Sequence, residues 1–201
     1  MGNIRLYGST SGYTELAPPA VAPDGVLSLP TGTGTLATQA SVGLVKIVDQ
    51  SFTAASSVSV NNCFTSDYKN YCMVIDCVAS ADVGISFRLR ASGTDRTGAN
   101  YNYQRLYADG TTVGATRVSS GTTGRIGVAF TAQNGLVCHV FNPFDSALNT
   151  STVSQVSYAY NNISLESFAN RYAVNDSNDG FTIYPSSGNI TGTLRVYGYQ
   201  N

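Results

Sequence analysis

The chain of 201 residues is long enough for one large β domain, or for one ordinary domain with an extension. Apolar residues make up 42% of it and charged residues only 11%, less than half the roughly 25% usual in globular domains. The polar surface must then come from Ser, Thr, Asn, Gln, Gly and Tyr. A formal net charge of -1, with Lys46 and Lys69 the only lysines, gives no electrostatic case for nucleic acid, which needs clustered Lys and Arg.

In chain order the first element is GNIRLYG (Gly2 to Gly8), and its pattern returns at the far end as GTLRVYG (Gly192 to Gly198). Read as strands, the first turns Ile4 and Leu6 to one face and Arg5 and Tyr7 to the other. The second does the same with Leu194 and Val196 against Arg195 and Tyr197. Between the first copy and residue 41 the chain carries Pro18, Pro19, Pro23 and Pro30 among many Gly, Ser and Thr. Proline fixes φ and removes a donor, so this stretch is neither helix nor central strand. It is nevertheless apolar at intervals, which describes an extended arm that lies along something else. Residues 1–41 are therefore expected to be an arm. Its contact residues are Ile4, Leu6, Tyr7, Tyr13, Leu16, Val26, Leu27, Leu29 and Leu36. The opening strand is expected to add to a sheet edge in a neighbouring subunit.

From residue 42 to 201 period-2 alternation recurs. ISFRLRA places Ile85, Phe87, Leu89 and Ala91 opposite Ser86, Arg88 and Arg90. RIGVAF sends Ile126, Val128 and Phe130 inward, and LVCHVF sets Leu136, Cys138 and Val140 against Val137, His139 and Phe141. About nine strands are expected, separated by turns such as ADG (108–110) and NDG (178–180). LESFANRY (165–172) is the exception and reads as a helical turn. Short alternating strands with no helices between them predict an all-β antiparallel sandwich, jelly-roll-like, behind the extended arm.

The four cysteines, Cys63, Cys72, Cys77 and Cys138, form no C-x-x-C. Cys72 and Cys77 point to opposite faces of one strand, so buried free thiols are expected, consistent with assembly in a reducing cytoplasm. No apolar run reaches the roughly 20 residues of a membrane helix, and no apolar leader opens the chain.

The stretch Gly8-Ser-Thr-Ser-Gly-Tyr-Thr-Glu-Leu16, followed by Leu27-Ser-Leu-Pro-Thr-Gly-Thr-Gly-Thr-Leu36, resembles the N-terminal segment of virion proteins of tailed bacteriophages. Their pattern there is GSTSGYxEL, then TLxLPxGTGTL. The sandwich region is similar to domains those proteins carry, through Phe64, Ser66, Tyr68, Asn70, Tyr71, Val74 and Ile75 and through the final TGTLRVYGY. The resemblance implies a virion surface protein, commonly a homotrimer, bound to capsid or other virion proteins.

Catalysis finds little support. His139 is the only histidine and lies in an apolar strand, which suits a satisfied subsurface residue better than a triad base. Asp76, Asp82, Asp95 and Asp109 have no spacing that favours a glycosidase pair. NDSNDG (175–180) begins like a calcium loop, but Ser186 stands where the bidentate Glu belongs, so it reads as a turn. No cofactor, metal or enzymatic activity is expected. NYNYQRLYADG interleaves Tyr101, Tyr103 and Tyr107 with Arg105, a composition suited to a protein interface or a glycan platform. Two functions follow. One is a trimeric capsid decoration (cement) protein anchored by its arm. The other is a tail-fibre or tail-associated receptor-binding protein that uses the same arm and binds host surface glycan.

Overall fold

The alternation from residue 42 onward becomes strands in the computed structural model, which describes residues 4–7, 10–16, 43–132, 134–160 and 162–200. The chain divides into two units, Met1–Leu36 and Ala37–Asn201. The expected boundary at 41/42 lies outside the described residues. In the first unit β1 (Ile4–Tyr7) and β2 (Tyr13–Leu16) pair antiparallel, with Ile4 opposite Leu16 and Tyr7 opposite Tyr13. The opening copy of the repeated pattern thus pairs with β2 along one of its two edges.

The second unit is built from β3 (Leu44–Ala55), β4 (Val58–Val60), β5 (Asn70–Ala79), β6 (Val83–Ala91), β7 (Thr94–Asp95), β8 (Tyr101–Asp109), β9 (Thr112–Gly121), β10 (Gly124–Ala129), β11 (Asn134–Phe141), β12 (Ser151–Tyr160), β13 (Asn162–Tyr172), β14 (Gly180–Pro185) and β15 (Ile190–Tyr199). Eight of these nest pairwise from the outside in: β3 with β15, β4 with β14, β5 with β11 and β6 with β10. They fall into two sheets, ordered β3-β15-β5-β11 and β10-β6-β14-β4, with every pairing antiparallel. That is jelly-roll winding.

Two insertions modify it. The segment β7 to β9 enters between β6 and β10, and the hairpin β12–β13 between β11 and β14. The added long strands extend one sheet to eight, in the order β3-β15-β5-β11-β12-β13-β8-β9. LESFANRY is strand, not helical turn. Paired on both sides, with β12 and β8, its backbone donors and acceptors are met by sheet ladders.

The core is the layer between the sheets. Tyr71, Met73 and Ile75 from β5, Ile85, Phe87 and Leu89 from β6, Leu136, Cys138 and Val140 from β11, and Leu194 and Val196 from β15 are all buried in it. Phe64 joins the sheets by packing against Tyr71 at 4.7 Å and Phe181 at 5.6 Å between ring centroids. All four cysteines are free and buried.

Candidate functional site

Because β8 alternates, Tyr101, Tyr103, Arg105 and Tyr107 share one side of it, the side that faces the second sheet. The structure separates their roles. Tyr101 is fully buried, its ring 4.9 Å from Tyr172 and 6.4 Å from Phe87 between centroids. Its hydroxyl donates to Arg96 O and accepts from Leu89 N–H. Tyr101 is thus a core residue and cannot stack on a ligand, contrary to the expectation from its motif. Further along the strand the smaller sheet ends and the face opens. Tyr103 and Tyr107 are half-buried there, and the Arg105 guanidinium lies 4.5 Å over the Tyr107 ring.

The partner of Arg105 is Glu166 on β13, which the sequence reading passed over. Arg105 Nε donates to Oε2 at 2.8 Å and Nη2 donates to Oε1, a two-pronged fork on a carboxylate that is 1% exposed. Four residues on, the buried Asn170 crosses to the other sheet. Its Nδ2 donates to Arg125 O and to Thr152 Oγ1, both at 2.9 Å. On a strand, Glu166, Phe168, Asn170 and Tyr172 share one face. Polar side chains at inward positions are the signal that the sheet here covers something other than plain core. Replacing Glu166 by alanine is expected to lower stability by about 3 kcal/mol, because two guanidinium groups then face each other without the carboxylate. Urea denaturation of wild type and variant measures it.

The opposite, outward face of the eight-stranded sheet is different in kind. In register across it run Val137, Gln155, Ser167, Leu106 and Ala115, with Ser157, Leu165, Ala108 and Val113 in the next row. Leu165, Leu106 and Val113 are 52%, 55% and 78% exposed. Among the described side chains the outward positions of β8, β11, β12 and β13 present no carboxylate and a single guanidinium, that of Arg171.

Other candidate groups are occupied. His139, half-buried on the outward face, shares a 2.7 Å hydrogen bond between its Nδ1 and Tyr199 Oη. Asp76 is 3.3 Å from Arg195, and Asp95 is clasped by Arg90. Within NDSNDG, Asn175 turns to Asn149 and Ala147 O, while Asp179 Oδ2 accepts Ser92 N–H. Among the described residues no three His, Cys, Asp or Glu side chains converge as a metal site would require. Of the arm residues, Ile4, Leu6 and Tyr7 lie in β1, and Tyr13 and Leu16 in β2. Val26, Leu27, Leu29 and Leu36 lie outside the described residues. No protein-family model, curated protein or solved structure matches the chain.

Proposed function

We propose that the chain is a structural protein of a tailed-phage virion, a trimeric capsid decoration protein. In this reading the segment before the sandwich attaches it to the capsid. One observation carries the reading: on β8, β11, β12 and β13 the outward face of the widened sheet exposes apolar side chains and, among the described side chains, a single charge, that of Arg171. Exposed apolar side chains gathered on one face are a feature of subunit contacts. The resemblance of Gly8–Leu16 and Leu27–Leu36 to virion arms supplies the particle. Several arms per trimer then multiply weak capsid contacts through effective concentration, so that each subunit reinforces the shell against the pressure of packaged DNA.

Gold-tagged antibody against the sandwich, applied to intact particles, tests the location. Label is expected over the head, and heads lacking the protein are expected to release DNA at lower temperature. Label confined to the tail overturns the decoration reading in favour of a tail-associated receptor-binding protein. Deleting residues 2–36 is expected to leave a folded sandwich that no longer binds particles, read by co-sedimentation. A truncated chain that still decorates them removes the anchor.

A further inference from the structure

Arg125 stands at a bulge in β10, where the register with β6 slips between Arg125 and Gly127. Bulges re-aim side chains, and this one is fixed on every side. The Arg125 N–H donates to Asn170 Oδ1 and the Arg125 carbonyl accepts from Asn170 Nδ2, both at 2.9 Å. Arg125 Nε donates to Gly127 O at 3.0 Å. The guanidinium lies against the backbone of Gly84, where a Cβ would come 1.6 Å from Arg125 Cζ, so only glycine leaves room for it. Among the described residues the Nη groups have no hydrogen-bonded carboxylate, and the charges that act on them are those of Glu166 and Arg105. Burial lowers the pKa of this arginine, so the structure holds a cation partly out of water with most of its donors unused.

Those donors face a cleft of about 380 Å³ between the sheets, lined by Arg125, Arg105, Glu166, Val128, Phe130 and Ser186. That is the low end of small-ligand sites, roughly 300–1,000 Å³, with room for one sugar ring. Charge counting narrows the ligand. Glu166 is forked by Arg105 and its charge also acts on Arg125, so the two arginines exceed the one buried carboxylate by one positive charge. Asp82 stands exposed at the rim and disfavours a dianion. The Ser186 hydroxyl oxygen accepts Gly84 N–H at 3.3 Å and keeps its own proton to donate. Val128 and Phe130 supply an apolar wall.

We propose that this cleft binds the carboxylate of an acidic monosaccharide, with the Arg125 Nη groups donating to the carboxylate and Val128 and Phe130 packing against the C–H face of the ring. The inference goes beyond the virion reading and does not depend on where in a particle the protein sits.

The test is a titration of the whole chain, followed by nuclear magnetic resonance of the arginine Nε–H and the Gly84 and Gly127 amides. The probes are glucuronate, glucose, acetate and inorganic phosphate. Glucuronate is expected to shift these signals saturably, at least tenfold more tightly than glucose, acetate or phosphate. Arg125→Gln is expected to weaken glucuronate at least tenfold. Gly84→Ala, which displaces the guanidinium while keeping its charge, is expected to do the same. No saturable shift with glucuronate overturns the site, whatever the variants do. Phosphate binding as tightly overturns the carboxylate assignment, and acetate binding as tightly overturns the sugar. Unchanged glucuronate binding in a folded Arg125→Gln chain overturns the role of Arg125.

Discussion

Replacing Gly192 with alanine is expected to cost about 3 kcal/mol or more and to remove most folded protein at 37 °C. Gly192 lies in β15 between β3 and β5, opposite Phe52 on one side and Cys77 on the other. A Cβ there would stand 2.0 Å from Asp76 O and 2.7 Å from Cys77 Cα, which are backbone atoms with no flexible end to yield. The strands must therefore separate, and β15 is the strand that joins β3 to β5 in its sheet. Gly43 is the control, since a Cβ there meets nothing within 4 Å, and Gly43→Ala is expected to change stability by less than about 0.5 kcal/mol. Urea midpoints of the two variants measure the contrast. Equal midpoints would show that β15 tolerates displacement and that the close approach carries no energetic weight.

The same position explains what was readable in the repeated pattern at the two ends. In GTLRVYG the inward Leu194 and Val196 and the outward Arg195 and Tyr197 fall where alternation puts them. The initial glycine, by contrast, is demanded by a neighbour some 115 positions earlier in the chain, which no local pattern records. Alternation likewise disclosed the inward faces of β6 and β11, but not of β10, where the bulge between Arg125 and Gly127 puts Gly127 and Ala129 opposite Ile85 and Val83, and Val128 opposite Gly84. It failed at LESFANRY, where Glu166 and Asn170 point inward. Burial of those two is stabilised by Arg105 and by the Arg125 backbone, partners 61 and 45 residues away. A buried polar network breaks the binary pattern at the place where the cleft is built. The cleft was therefore hidden for a physical reason: Arg125, Val128 and Phe130 are close in sequence, but Gly84, Arg105, Glu166 and Ser186, which complete the lining, come from other elements that only the fold brings to them. Tyr101 misled in the opposite direction. Its interleaving with Asn102 and Tyr103 resembles a surface motif, but the smaller sheet covers that end of β8 and leaves the other end open.

Raising the pH from 9 to 11 is expected to unfold the sandwich, through thiols and phenols that the core holds protonated. Burial pushes Cys63 and Cys138 up to about 12 and Cys77 up to about 11, from an ordinary value of 9.0. It also raises Cys72, Tyr71 and Tyr101. For each thiol the unfolded chain releases its proton above pH 9 while the folded chain keeps it. The folded state then binds more protons, and stability falls as pH rises. The contribution is complete below pH 9 and drains away towards the folded values, at about 1.4 kcal/mol per thiol per pH unit. The three thiols together can remove at most about 11 kcal/mol by pH 12, which exhausts all but the upper part of a stability of about 5–15 kcal/mol. Urea midpoints measured from pH 7 to 11 should be level to pH 9 and then decline steeply. Maleimide labelling should rise over the same interval, since only the unfolded chain offers thiolates. Exchanging Cys63 and Cys138 for alanine lowers stability at pH 7 by leaving small cavities, yet it should make the alkaline decline shallower. That opposite movement separates proton linkage from a general loss of packing. A decline equally steep without the two thiols would assign alkaline unfolding to the other buried groups, Cys72, Cys77 and the tyrosines.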